Sequence, residues 1–328
     1  ANCRVRIRGD VDNRGAEVVR GVPQVLTDGI QPELSPDSSG RLELARWMSD
    51  PSHPLTARVM VNRVWHHLFG SGIVRTVDNF GQSGERPSHP QLLDHLAIRF
   101  TSEMDWSVKK LIRSILLSRT YAMSSAPQAR GSEVDPENKL LHRMPILRLD
   151  AESIRDKVLA VSGRLDRRLY GKGVMVHITE FMRGNRSPGG SGPLDGNGRR
   201  SIYTEVRRNH LSSMLLAFDR PIPFMTMGRR VQSNSPAQAL ILLNDPFVHQ
   251  QVGIWAKRLL AQKEKSDEAL LSLAYLEAFG RAVRKEEVGL AMEFLAGQQK
   301  LYGEGSRVKA WYDLLHTLMN VKEFIFIN

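Results

Sequence analysis

Apolar residues recur at helical spacing along most of the chain, and the densest pattern lies in the stretch 44–90. Val61, Val64, Trp65 and Leu68 fall on one face of a helix that begins at Pro54 and stops at Gly70, a residue suited to a left-handed C-cap. Arg58, Asn62 and His66 stand one turn apart on a neighbouring stripe, and Arg63 with His67 makes a second polar column. Ahead of it, Asp37, Ser38 and Ser39 offer caps for a helix over 41–48, with Leu42, Leu44 and Ala45 expected to face a core. After Gly70, residues 73–76 read as a short strand, and TVDNFGQSGERPSHP follows as a long loop ordered by Asp78, Asn79 and Phe80. Ser88 and Gln91 form a capping box for a helix carrying Leu92, Leu93, Leu96 and Phe100. Ser107 caps the next, with Leu111, Ile112, Ile115 and Leu116 inside.

Elsewhere the same reading gives Val5 to Ile7 as a strand, GDVDNRG as a turn and 21–40 as extended connection. Asp150 is the N-cap of a helix with Ile154, Val158 and Val161 on its apolar line, and Gly163 ends it. Residues 171–200 turn Gly-rich and poor in apolar groups, a flexible linker or a mobile lid. SIYTEV alternates like a strand. Ser235, Pro236 and Gln238 repeat the capping order, Asp245 and Pro246 open a helix through Trp255 and Leu259, and three amphipathic helices fill 266–326. The expected fold class is mainly α, a multi-helix globular array with a few short β-strands and long ordered loops. Its expected division is an N-terminal helical lobe over 1–165, a Gly-rich linker or lid over 166–200 and a C-terminal helical lobe over 201–328, or one continuous domain.

With 41% hydrophobic and 25% charged residues among 328, the composition is that of an ordinary globular protein. No run approaches the roughly eighteen apolar residues of a membrane span, so none is expected. The net charge of +11 carries 34 arginines among 46 basic residues. They read as solvated faces, or as guanidinium forks for carboxylate, sulfate or phosphate. Their scatter, without a long basic run or an RNP or zinc-finger pattern, argues against nucleic acid. Cys3 stands alone, which excludes an internal disulfide and a CxxCH haem attachment within these residues, and no cofactor is expected. The start ANCRVRIRGD lacks an initiator Met and the order of a signal peptide, as in an excised or processed chain.

His66, His67 and His89, with Asp78 and Glu85, are the candidates for a metal site or for a general base with its orienting acid. Adjacent helical histidines point about 100° apart, and neither HExxH nor HxxxH occurs, so no metal is expected. Asn62 and Arg63, polar in an apolar helix, either pin the loop at Asp78, with an Arg63 to Asp78 salt bridge, or receive an anion. Arg148 and Arg155 bracket one helix start and are expected to share an acidic partner. Asp150, Glu152, Arg155 and Asp156 have the spacing of a capped, charged helix surface. Arg199, Arg200, Arg207, Arg208, Arg229 and Arg230 come in pairs around the Gly-rich segment, either solvated or carried over a polyanion by a lid. Trp47, Trp65, Trp106 and Tyr203 could stack on sugar rings, Trp65 being placed in the core by its face. No GxSxG nucleophile motif occurs.

The segment LARWMSDPSHPLTARVMVNRVWHHLFGSGIVRTVDNFGQSGERPSHPQLLDHLA, followed by DPENKLL, RLDAESIRDKVLAVSG, RRSIYTEV, FDRP, SNSPAQALILLNDP and LMNVKEFIF, resembles the domain of unknown function 1553 family. That domain is found in large exported proteins of planctomycetes. Positions that match its pattern are Asn62, Arg63, Trp65, Asp78, Phe80, Gly81, Ser88, His89, Pro90, Arg148, Asp150, Arg155, Arg200, Tyr203, Asn234, Pro236, Gln238, Asn244 and Asp245. The chain departs from it at Glu85-Arg86-Pro87 and at Thr204-Glu205-Val206. The resemblance implies an exported, periplasmic or cell-surface protein with a partner domain N-terminal to this one, and a sulfatase-like exported protein as a possible partner. It implies no established activity.

Two functions fit these readings. One is a binding or scaffold module in a polysaccharide-handling assembly, with Arg58, Asn62, Arg63, Arg148, Arg155, Arg200 and Tyr203 as binding residues on an anionic polysaccharide. The other is a hydrolase or lyase acting on sulfated or uronate polysaccharide, with His66, His89 and Asp78 as candidates for acid and base. Trp65, Phe80, Gly81, Ser88, Asn234 and Asn244 are expected to be structural.

Overall fold

The computed structural model describes all residues except 1, 2, 28, 30, 36, 183–189 and 328. The chain is mainly helical and folds as two compact units, Ala1–Pro145 and Ile146–Asn328. The first holds a hairpin of β1 (Cys3–Arg6) and β2 (Arg14–Val18), then α1 (Arg41–Ser49), α2 (Thr56–Phe69), α3 (Pro90–Thr101), α4 (Val108–Leu116) and α5 (Ala129–Val134). The second pairs β3 (Leu147–Arg148) antiparallel with β4 (Phe326–Ile327) and contains eight helices among the described residues. These are α6 (Ala151–Ser162), α7 (Ser213–Ala217), α8 (Pro236–Asn244), α9 (Pro246–Leu260), α10 (Asp267–Phe279), α11 (Lys285–Tyr302), α12 (Arg307–Asn320) and α13 (Lys322–Ile325). The sequence pattern groups α6 with the first lobe, whereas the helix packs in the second unit against α9.

In the first unit, α2 and α3 pack side by side with α4 behind them. Val61, Trp65 and Phe69 of α2 meet Leu93, Phe100 and Leu111 in one buried cluster. The start of α2 is held by His53, whose Nδ1 accepts from the backbone N–H groups of Leu55 and Thr56 at 3.2 and 3.1 Å. An imidazole thus takes up donors that a helix start leaves unpaired. Gly70 closes the helix at φ 76°, in the left-handed region its position requires. Two expectations fail here. Leu42 and Leu44 of α1 are exposed, because α1 has no buried face. Ser88 does not cap α3: its N–H and hydroxyl both donate to the Ile73 carbonyl, and His89 occupies the cap position.

Residues 73–76 are not a strand. Ile73 and Val74 are buried, yet no strand lies alongside. The Asn62 side chain replaces one: its Oδ1 accepts from Val74 N–H at 2.8 Å and its Nδ2 donates to the Val74 carbonyl at 3.0 Å. A carboxamide presents the same donor and acceptor pair as a peptide unit, so one residue of α2 satisfies both backbone groups that a sheet neighbour would. Gly72 leaves room for this contact, since a Cβ there would meet the Val74 oxygen at 2.5 Å and the Asn62 amide at 2.8 and 2.9 Å.

The core of the second unit lies among α6, α9 and α12, where Ile154, Val158, Val252, Trp255, Trp311 and Leu315 are fully buried. Trp255 Nε1 donates to Glu277 at 2.7 Å, and the Arg258 guanidinium grips the same carboxylate from both nitrogens. At the far end Arg281 bridges Glu287 and Glu323, tying α10 to α11 and α13. That guanidinium holds the Glu287 carboxyl down at about 2. Caps expected at Ser107 and Asp245 are present, accepting from Lys110 N–H at 3.4 Å and Phe247 N–H at 2.8 Å. Ser235 makes no such bond, because Gln238 is buried and turns back to Ser233. Asp150 likewise sits at the start of α6 without capping it and faces Arg230. SIYTEV forms a 3-10 turn over Ser201–Tyr203 rather than a strand.

Candidate functional site

The polar stripe of α2 is dispersed by the fold. Asn62 is wholly buried on Val74, while Arg63, one position further round the helix, is exposed. The expected Arg63 to Asp78 ion pair is not among those of the described residues. The loop after it closes on itself instead. Thr76 Oγ1 donates to the Asn79 carbonyl and accepts from Glu85 N–H, and Asn79 Oδ1 accepts from Gly81 N–H at 3.0 Å. Phe80 packs against the core beneath it. His89 Nδ1 is engaged by Ser88 Oγ at 2.9 Å, and His66 and Asp78, half-buried and exposed respectively, are also engaged. Trp65 is buried and stacked on Phe69. Asn234 is exposed, and Asn244 donates back to Leu240 O in the last turn of α8.

Most arginines first considered for anion binding are occupied internally. Arg58 pairs with Asp94 at 2.7 Å. Arg148 and Arg155 do not share an acid. Arg148 donates to Asp219 at 2.7 Å and to the Ser233 and Phe218 carbonyls. Arg155, buried on α6, donates to the carbonyls of Asp195 and Arg199 at 2.8 and 3.0 Å and to Ser201 Oγ at 3.1 Å. A buried guanidinium with several donors suits a turn whose carbonyls all face inward. Asp156 beside it accepts from Ser201 N–H at 2.7 Å and from Arg200 at 3.2 Å. Tyr203 accepts from Tyr170 N–H through its hydroxyl, and Arg199 lies 4.1 Å over its ring. Both described flanks of the Gly-rich segment are thereby tied into the second unit, and the reading of a lid or linker otherwise falls on 183–189, outside the described residues.

What this packing borders is a partly open cavity of about 240 Å³ in the second unit. Met175, Val176, Leu194, Met214, Leu215 and Phe247 make most of its wall, and His177, Asp245, Arg155, Thr204 and Ser212 supply polar edges. Few polar groups converging on an apolar hollow are the usual make-up of a ligand site. His177 Nδ1 lies 2.9 Å from the Gly192 carbonyl, which can only accept. Nδ1 therefore donates its proton to that carbonyl, which fixes the orientation of the ring. Asp245 keeps one oxygen on Phe247 N–H, and burial pushes its carboxyl up against the opposing pull of His177 and His249. His249 follows one turn along α9, hydrogen-bonded to Tyr312 and tilted against the ring of His316 of α12 at 4.8 Å between centroids.

His177 and the role of Asp245 beyond capping escape a reading of the sequence. They lie far apart along the chain, and Asp245 is fully accounted for locally as a helix cap. Among the described residues, no three His, Cys, Asp or Glu side chains are grouped to hold a metal ion, and no helix is long and apolar enough to cross a membrane.

His316 gives a pH dependence of defined sign. Burial lowers its proton affinity below the ordinary 6.5, and its Nε2 donates to the Leu242 carbonyl at 3.1 Å. The unfolded chain then binds more protons than the folded one as pH falls below about 6.5, so stability from this group is present above that pH and is lost on acidification. Thermal melts between pH 7.5 and 5 should show this loss, and His316→Gln, which keeps a donor for Leu242, should flatten it. Parallel curves for the two proteins would remove His316 as the cause.

No curated protein and no solved structure matches the chain. A family model does, over residues 40–295, and the matched region takes in α1 to α10, the Asn62 contact and the whole lining of the cavity. By that match the chain belongs to the family described as PSD1, protein of unknown function (DUF1553).

Proposed function

We propose that this chain is the binding module of an exported, polysaccharide-handling assembly, with the His177 and Asp245 cavity as its ligand site. The observation that carries the reading is the cavity itself, apolar in most of its wall with His177 and Asp245 at its edge. The engagement of Arg58, Arg148, Arg155 and Arg200 by internal partners moves recognition away from a surface of free arginines. The partner domain and the sulfatase-like protein implied by the sequence resemblance would supply the enzymatic steps around it. The same His177 and Asp245 would serve a hydrolase or lyase as its acid and base pair, because an imidazole held at Nδ1 and a half-buried carboxyl line one cavity.

The test is binding of the chain to a panel of immobilised oligosaccharides, with release of reducing ends followed in the same samples. A subset of glycans should be retained without cleavage, and Met214→Trp, which fills the cavity, should weaken retention at least tenfold. Retention unaffected by Met214→Trp counts against the cavity, and steady release of reducing ends counts for the enzyme.

A further inference from the structure

Accepting that the cavity is the ligand site, its charge and hydrogen-bonding pattern narrow what it can hold. The titratable and charged groups that face Asp245 are His177 from the Gly-rich stretch, His249 one turn along α9 and Arg155 from α6. Arg155 is the cation of the wall, and both its terminal nitrogens are already committed to the Asp195 and Arg199 carbonyls and Ser201. Its charged face also lies over the Phe247 ring, 5.3 Å from the centroid. No ion pair among the described residues involves Asp245. What the ligand meets is therefore the Asp245 carboxyl, the His177 ring and the hydroxyl groups of Thr179, Thr204, Ser212 and Ser213, set among methionine, leucine and phenylalanine carbon.

We propose that this cavity takes a neutral, hydroxyl-bearing ring of the size of a single sugar unit, whose hydroxyl groups hydrogen-bond to Asp245 and to the His177 ring. An anion would place a second negative charge beside the Asp245 carboxyl, while the guanidinium of the wall is already committed to backbone carbonyls and Ser201. A cation would be set against the Arg155 guanidinium in the same wall. A hydroxyl both donates and accepts, so it suits the Asp245 carboxyl and the serine and threonine hydroxyls alike, and it brings no charge for either wall to oppose. The apolar part of the lining suits the C–H face of a ring. At about 240 Å³ the hollow falls below the range of about 300–1,000 Å³ that drug-sized ligands occupy, which favours one ring over an extended chain.

The experiment titrates the whole chain, with its histidine nitrogens labelled, with glucose, glucuronate and glucosamine, three sugars of one skeleton and three charges. The His177 Nε2 resonance should shift saturably with glucose, and glucuronate and glucosamine should each bind at least tenfold more weakly. His177→Phe and Asp245→Asn should each weaken glucose binding at least fivefold, the second keeping the cap on Phe247 N–H and so the fold. Tighter binding of glucuronate or of glucosamine at the same resonance overturns the neutral class and leaves the cavity standing as a sugar site. Binding of glucose that leaves His177 unmoved and survives both substitutions places the sugar elsewhere and overturns the proposal. If none of the three binds and the oligosaccharide panel is also negative, the reading of the chain as a glycan-binding module falls with it.

Discussion

Replacing Asn62 by alanine should lower the unfolding free energy by about 2–6 kcal/mol, the sum of ~1–3 kcal/mol for each of two backbone groups left unpaired in a buried site. Both groups belong to Val74, and both are bonded to the one side chain. Asn62→Asp separates the two halves of the contact. It keeps an acceptor for Val74 N–H but sets an oxygen against the Val74 carbonyl, so the variant should be less stable at neutral pH than at a pH low enough to protonate it. Gly72→Ala should reproduce much of the loss without touching Asn62, because the added methyl would stand 2.5 Å from the Val74 oxygen. Urea unfolding followed by circular dichroism measures all three. A loss under about 1 kcal/mol in Asn62→Ala would show that water replaces the amide at no cost, and the account of this turn would be wrong.

Arg155→Met should be comparably severe, costing about 3–5 kcal/mol, the usual scale for breaking a buried charged network from one side. The carbonyls of Asp195 and Arg199 would lose their donor, and the turn that carries Gly196 and Gly198 would lose the group it winds around. Arg155→Lys should rescue little, because one ammonium cannot span three acceptors in a fixed plane. Since Leu194 and Gly196 line the cavity, the same variants should lose ligand affinity beyond what their stability explains. Limited proteolysis around 195–201, with denaturation curves, checks both parts. Full stability in Arg155→Lys would assign the turn's order to other contacts.

Most of the helical frame is legible in the sequence because its signals are local. The apolar face of α2, the stop at Gly70, the Ser107 cap and the Asp245-Pro246 start depend on neighbours within a turn or two. Readings that need a distant partner fare differently. The apolar pair Ile73 and Val74 reports two buried residues, but whether a strand or a side chain answers their backbone is decided by Asn62 on another element. Ser88 has a capping spacing, yet its N–H and hydroxyl are turned to the Ile73 carbonyl and the helix starts one residue later, with His89 at the cap position. The paired start of α6 looks like one acidic clamp for Arg148 and Arg155, and the fold sends them to Asp219 and to the 195–201 turn. The cavity is the extreme case. Its apolar wall comes from α7, α9 and the flanks of a Gly-rich stretch, none of which carries a motif, and His177 sits in a segment whose composition reads as linker.

The Asn62 contact also bears on the order of assembly. Val74 lies only 12 residues from the side chain that satisfies it, and the intervening chain is the end of α2 with its Gly70 stop. A buried turn that closes over so short a span needs no sheet to be laid down first, and low sequence separation of contacts goes with fast formation. The Val74 amide should accordingly be among the slowest in the first unit to exchange with deuterium, and among the first protected when the chain refolds.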